Sequence, residues 1–440
     1  MNTDDVGDKW NHDTRHGLIP GGAHTYSRGD DQFPSNAPEL VTRGRGAYIW
    51  GQDGRKLVDW AMGLRSVSLG YADRGVDRAA IRALRAGINL SRPTPGEFEL
   101  ASTLVDLIPS AEMVKFGKNG SDATAAAIRL ARAFTGRDLV LRCSSDPFLG
   151  VHDWFIGSTV MNTGVPDAVR ELTKTFQYND LDSVSSLIER YRGRVAALIL
   201  EPVGAQEPQA GFLQGLRDIT TLNGIVLIFD ETITGFRVAL GGAQSLYGVL
   251  PDLSTFGKGI ANGYPLSVLA GRKSIMELGG IYYKEKKVFL MSSTYGAERA
   301  SIAAAQETIS RLASTNAISE NSGVAQTIMN TFRSWVGHTV LNDRISTSGM
   351  DLLPVVKFHN SDQSDDPWLK TLFMQLMLCE SILMAPYFLS VCASHRGAVV
   401  DRTVKALDKV MPRLVSAVES GTVQEQVEGS PVRTVFRASN

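Results

Sequence analysis

Ile225-Val226-Leu227-Ile228-Phe229-Asp230-Glu231-Thr232-Ile233-Thr234-Gly235-Phe236-Arg237 is an unbroken apolar run that ends on two acids. A strand that is apolar at successive positions has both faces buried, which suits the centre of a parallel sheet covered by helices. The same texture recurs at Leu139-Val140-Leu141, from Val195 to Leu200, and at Leu266-Ser267-Val268-Leu269-Ala270, with helical stretches between. This alternation predicts an α/β chain with a doubly wound, mostly parallel central sheet and helices on both faces. Upstream, Gly46 to Trp60 reads as a hairpin turning at Gly51-Gln52-Asp53-Gly54. Helical periodicity starts near residue 75 with Val76, Ala79, Ala80, Ile81 and Leu84. After about 320 the texture changes to helices with a few strands, Leu353 to Phe358 among them. The expected organisation is an N-terminal segment (1–70) that packs with the smaller domain, a large α/β domain (71–320) and a smaller α+β domain (321–440). The first 14 or so residues read as a loose tail.

The 440 residues carry 45 basic and 46 acidic side chains, with 43% hydrophobic and 21% charged residues. That balance excludes global disorder. It offers no basic excess to release counterions from nucleic acid, so no nucleic-acid partner is expected. Cys143, Cys379 and Cys392 are odd in number and lack metal-ligand spacing, so neither a disulfide framework nor a metal is expected. Met1 to Trp10 is polar and acidic, unlike a signal peptide, and no apolar run reaches spanning length. The expectation is a cytoplasmic protein without a membrane partner.

In an open α/β sheet, ligands gather at the carboxyl ends of strands. Asp230 stands there, directly after an apolar strand, where a carboxylate must be paired or neutralised. Alone it reads either as a helix N-cap or as the anionic partner of a cationic ring nitrogen. Downstream, within Pro251 to Pro265, Lys258 lies between Gly257 and Gly259 and has little steric cover. It reads either as a solvated loop lysine or as an amine that forms a Schiff base with a carbonyl. The two lie 28 positions apart, which brings a strand-end carboxylate and the next segment's lysine to one site. Lys118-Asn119-Gly120-Ser121-Asp122 precedes an alanine-rich helix from Ala123 to Phe134. This is either simple N-capping by Ser121 or Asp122, or an anion site at a helix start. No Walker-type run is present, so no nucleoside triphosphate is implied.

On the Phe-Asp-Glu-x-x-Thr-Gly-Phe-Arg run ending at Arg237 and the Gly-Lys-Gly around Lys258, the chain resembles a known family. It is similar to the fold-type I pyridoxal-phosphate (PLP) enzymes of class III aminotransferase type, in particular the glutamate-1-semialdehyde aminomutase-like branch. The resemblance runs from about Ile19 to about Asp401. It implies that Asp230 pairs with the pyridinium nitrogen, that Lys258 forms the internal aldimine, and that Gly120 and Ser121 hold the PLP phosphate. In Ser292-Ser293-Thr294-Tyr295-Gly296 it implies that Thr294 reaches the neighbouring subunit's phosphate, which makes a homodimer with composite sites. Aligned through Asp153-Trp154, Phe148 takes the place of a ring-stacking aromatic. Leu149 replaces the family's histidine, in a loop about three residues longer. Glu201 matches a Glu-Pro pair and supports the cofactor from behind. Arg28, in Pro20 to Arg28, and Arg65, in Gly63 to Val67, match substrate-pocket positions suited to a planar carboxylate.

The implied activity is a biosynthetic PLP-dependent aminotransferase, moving an amino group from a small-molecule donor to a carbonyl acceptor by a ping-pong mechanism. The alternative is a glutamate-1-semialdehyde-type 2,1-aminomutase, or another PLP isomerase or epimerase. Pro386 to His395 is about three residues shorter than the aminomutase run and lacks the glutamate of its Phe-Glu-Ala-Gly stretch. That departure places the two-substrate aminotransferase first.

Overall fold

The apolar runs at 139–141, 195–200 and 225–229 are strands, buried along their length. The structure, a computed structural model, describes residues 9–385 and 388–437. Seven strands form the central sheet: β1 (Met113–Gly117), β2 (Leu139–Cys143), β3 (Thr173–Phe176), β4 (Val195–Leu200), β5 (Val226–Asp230), β6 (Leu253–Phe256) and β7 (Ser267–Gly271). Their spatial order is β1-β7-β6-β5-β4-β2-β3. The run from β6 through β5, β4 and β2 to β3 is parallel.

β7 departs from the expectation of a parallel strand, because it pairs antiparallel with both β1 and β6. A parallel return needs a crossover of a dozen or more residues, usually a helix. The connection from β6 to β7 holds only the 3-10 turn Lys258–Ala261, with a left-handed reversal at Asn262. β6 itself has no apolar signature, since Ser254 and Thr255 interrupt it. Both are buried with partners: Ser254 Oγ lies 3.1 Å from Ser110 Oγ, and Thr255 bonds across to β5.

Successive side chains of β5 point to opposite faces. Leu227 and Phe229 join a core with Leu198, Leu200, Leu139 and Leu141, closed by Val184 and Ile188 of helix Leu181–Arg190 and by Phe212 and Leu216 of helix Phe212–Leu222. Asp230 is one residue further on and belongs to the other face. Helix Gly120–Thr135 also packs along the sheet.

The chain divides into two compact units. The sheet unit comprises 66–68 and 74–318; the other comprises 9–65, 69–73 and 319–437. In the second unit, Tyr48–Gly51 and Lys56–Asp59 form the hairpin, with Gly54 at φ +78° in the turn. Val41–Arg45 adds an antiparallel edge and Ile382–Leu383 a parallel one. Ile345–Ser348 pairs with Val355–Phe358, and the long helices are Pro367–Cys379 and Ala398–Glu419. The expected loose tail is partly wrong: His12–Leu18 is helical, with the Asn11 side chain accepting from Thr14 N–H at 2.9 Å. Seven residues without an apolar face gave no periodic signal. The remainder of that tail, up to residue 8, lies outside the described residues.

Candidate active site

The sheet register juxtaposes the acid and the lysine segment. Asp230, at the carboxyl end of β5, is the cross-strand partner of Thr255 on β6. Thr255 Oγ1 donates to Asp230 Oδ1 at 2.9 Å, and Thr232 N–H donates to the same oxygen at 3.0 Å. Lys258 follows Thr255 by three residues and is only partly buried. Asp230 is 4% exposed. Burial pushes its carboxyl above the ordinary range, while the Thr232 N–H, the Thr255 hydroxyl and the Lys258 ammonium pull it back. Lys258 sits at φ +44°, a left-handed conformation that a lysine adopts only under constraint. Ser68 supplies some of that constraint: its Oγ donates to Gly259 O at 2.8 Å, and its N–H to Asn262 Oδ1 at 3.0 Å.

The neighbouring acid, Glu231, goes elsewhere. It is fully buried and accepts from the N–H groups of Ala243 (2.7 Å) and Gln244 (2.8 Å), capping helix Ala243–Tyr247. Of the Asp-Glu pair, one acid therefore faces the site and the other holds the scaffold.

The alanine-rich helix begins at Gly120, three residues earlier than expected, and its N-cap is Asn119 rather than Ser121 or Asp122. Asn119 Oδ1 accepts from Asp122 N–H, and Asp122 Oδ2 accepts from the N–H groups of Lys118 and Asn119. The amides of Gly120 and Ser121, at the first two helical positions, have no intrahelical acceptor and sit at the positive end of the dipole. Ser121 Oγ accepts from Val151 N–H at 3.1 Å, which leaves its own proton to donate.

These residues fit PLP. Thr232 Oγ1 is buried without a hydrogen-bond partner. Its side chain is the nearest neighbour of the space above both Gly120 (3.3 Å) and Gly257 (3.2 Å), where a Cβ would stand. A polar cradle with an orphaned hydroxyl, two open amides, a lysine and a buried acid suits a phosphorylated, cationic heterocycle. Phe148 is 45% exposed, and its ring meets Phe155 edge-on at 5.9 Å. Thr124 Oγ1 ties the loop down by donating to Leu149 O at 2.6 Å. The Leu149 side chain itself is buried.

Behind the acid lies a carboxylate that no motif singled out. Asp146 is buried and accepts from Glu201 N–H through Oδ2 at 3.1 Å. Burial, then the Glu201 carboxylate, then Asp230 push its carboxyl well above the usual range against the opposing charge of Arg142. Glu201 is also buried and follows β4. A signal did exist: Asp146 follows β2 as Asp230 ends β5.

Because folded Asp146 holds its proton more tightly than the unfolded chain does, its contribution to stability is complete below about pH 4. That contribution is lost as pH rises through the raised value. Asp146→Asn, which cannot ionise, should therefore melt roughly 2–8 °C above the parent protein at pH 8, both free of PLP. The advantage should vanish as the pH approaches 4. Paired melts across this range check it, and a pH-independent difference would refute the protonation argument.

The remaining expected residues lie on other segments. Thr294 is exposed on its own chain, ahead of helix Arg299–Ser314. Glu298, the N-cap of that helix, pairs with Lys118 Nζ at 2.8 Å, next to the Gly120 helix start. Arg28 and Arg65 belong to the other unit. Arg28 is exposed in the 3-10 turn Tyr26–Arg28. Arg65 ends a left-handed turn in which Met62, Gly63, Leu64 and Arg65 all have positive φ. Such backbone costs about 1–2 kcal/mol per non-glycine residue, so the rest of the fold imposes it. Pro386 and Tyr387, which open the shortened C-terminal run, lie outside the described residues. Its later part is buried: His395 stacks on Trp60 at 4.0 Å and accepts from Cys392 N–H through Nδ1. Among the described residues no helix is long and apolar enough to cross a membrane.

Comparison with known proteins gives concordant matches. The family profile described as aminotransferase class-III matches residues 30–339. A glutamate-1-semialdehyde 2,1-aminomutase of Desulfatibacillum aliphaticivorans is 34% identical over 425 residues, covering 90% of this chain and 97% of that protein. Among solved structures, the FumI protein of Sphingopyxis sp. MTA144, in its PLP internal aldimine form, superposes with a TM-score of 0.84 at 24% identity. That match covers 95% of this chain and 97% of that one. A glutamate-1-semialdehyde-aminomutase from Pseudomonas aeruginosa PAO1 gives a TM-score of 0.81 at 23% identity, over 94% and 96% of the two chains. At these identities the structural matches establish the fold, PLP-dependent transferase fold type I. The relative's name favours the aminomutase over the two-substrate aminotransferase that the C-terminal run had placed first.

Proposed function

The chain belongs to the class III aminotransferases, and from that premise we propose that it moves an amino group within one small carboxylate-bearing semialdehyde, a 2,1-aminomutase reaction. As a member of the family it is a PLP-dependent enzyme. The observation that carries the chemical reading is the register pairing Asp230 with Thr255, which sets a buried acid beside the segment bearing Lys258. The relative's name supports the aminomutase choice.

Bound PLP supplies an electron-withdrawing ring that stabilises negative charge at the substrate carbon. Asp230, held by Thr232 and Thr255, keeps a proton on the ring nitrogen by favouring its charged form. The amides of Gly120 and Ser121 and the Ser121 hydroxyl bind the phosphate at the helix start. The Lys258 amine would hold the cofactor through its carbonyl carbon, and its nitrogen would take a proton from the substrate carbon and return it, as base and then acid. Phe148 covers one ring face, Glu201 supports the acid from behind, and Arg28 and Arg65 hold the substrate carboxylate. Thr294, exposed on its own chain, reaches the phosphate site of a second copy.

A second reading, transfer between a separate donor and acceptor, is favoured by the C-terminal run that lacks the aminomutase glutamate. Purified enzyme is incubated with glutamate-1-semialdehyde alone, and in parallel with panels of amino donors and carbonyl acceptors. Isomerisation of the single substrate with the amine count unchanged supports the aminomutase. Turnover only when donor and acceptor are both present selects the second reading. No spectral change with any amine overturns both.

A further inference from the structure

One cluster of histidine and carboxylate groups stands apart from the PLP cradle. His12, His16 and Asp30 place their ligating atoms within 4.8 Å of one another. His12 and His16 are four residues apart on helix His12–Leu18, a spacing that puts both on one face. Their rings stack with centroids 4.2 Å apart. The chain then reverses through Gly21 (φ +79°) and Gly22 (φ +68°), with Gly22 N–H donating to Ile19 O at 2.8 Å. The reversal returns Asp30 to the exposed edges of both rings. Asp30 Oδ2 lies 2.9 Å from His16 Nε2 and 3.5 Å from His12 Nε2.

Two further features single out this arrangement. His12 Nδ1 lies 3.1 Å from Asp13 Oδ1. The Asp13 contact is made through Nδ1, so Nε2 is the His12 ring nitrogen that faces the Asp30 oxygen. An imidazole nitrogen and a carboxylate oxygen that face each other in this way can share one cation between them. The carboxylate–imidazole pairing is also the arrangement that orients metal-bound histidines. In addition, the His16 ring occupies space that only a glycine at 22 leaves: a Cβ there would lie 2.6 Å from His16 Nε2. Arg15, the nearest competing cation, is drawn off by Glu39 at 3.0 Å.

We propose that His12, His16 and Asp30 bind one divalent transition-metal ion of the zinc type, through two imidazole nitrogens and one carboxylate oxygen, with the fourth position left to water. The ion ties the N-terminal helix to the turn Asp30–Gln32, two residues beyond Arg28. The inference does not depend on the catalytic reading.

The test uses untagged, full-length, PLP-loaded protein that has been stripped with a chelator and dialysed. It is titrated with ZnCl₂ by calorimetry and with Co²⁺ by visible absorption. The expected result is one ion per chain, with a Co²⁺ spectrum lacking thiolate charge transfer, which excludes the exposed Cys379. His16→Ala and Asp30→Ala should each weaken Zn²⁺ binding at least about 100-fold, and Asp13→Ala about 10-fold. His24→Ala, also exposed and outside the cluster, should bind as the parent does. Zn²⁺ should raise the melting temperature of the parent but not of His16→Ala. Absence of saturable binding, or binding that survives in both His16→Ala and Asp30→Ala, would overturn the proposal.

Discussion

Lys258→Ala lowers turnover by more than about 10⁴-fold and leaves a protein that no longer develops the visible absorbance of lysine-bound PLP. The expectation comes from the β6–β7 connection. Gly257 is extended and Lys258 left-handed, and the Ser68 bonds to Gly259 and Asn262 hold the turn in place. Alanine keeps a Cβ at the same strained φ, so the turn loses only the amine, and the melting temperature of the PLP-free protein should hardly move. Steady-state assays and absorption spectra with equimolar PLP check the result. A Lys258→Ala protein that is active and still yellow would remove Lys258 from the chemistry.

Asp230→Asn should lower kcat by about 10²–10⁴-fold while leaving the PLP-free protein at least as stable as its parent at pH 8. The sign follows from burial, which raises the Asp230 carboxyl above its unfolded value. A group raised in this way stabilises the fold below the ordinary carboxylate pKa and loses that contribution as pH rises through the folded value. An amide at 230 has no charge to desolvate and can still accept from Thr232 and Thr255. The added stability that PLP confers should shrink in the variant, because the ring nitrogen loses its anionic partner. Melts with and without PLP, together with kcat, separate the two meanings of this residue. If Asp230 served only as a turn cap, the PLP-free variant would lose several degrees and kcat would stay within a few fold.

The aspartate and the lysine were legible for different reasons. Asp230 ends an apolar run whose continuity has one structural meaning, a strand buried on both faces. Lys258 stands between two glycines, a spacing with little purpose unless something approaches the amine. Asp146 was barely legible, because its place after a strand does not by itself separate it from a loop aspartate. It acquires its character only beside Glu201, 55 positions later. Glu231 shows the same limit: adjacent to Asp230 in sequence, it is carried to a different task by its contacts with Ala243 and Gln244.

By itself the sequence determined the class of fold and the principal strands, and it put Asp230 at a strand end, because burial periodicity and punctuating glycines are local properties. Only the tertiary structure decided that β7 runs antiparallel, that helix Gly120–Thr135 is capped by Asn119, and that Asp146 and Asp30 meet the partners they have. Those outcomes depend on connection length and on long-range pairing, where a residue's charge state and hydrogen bonds are set by groups distant in the chain.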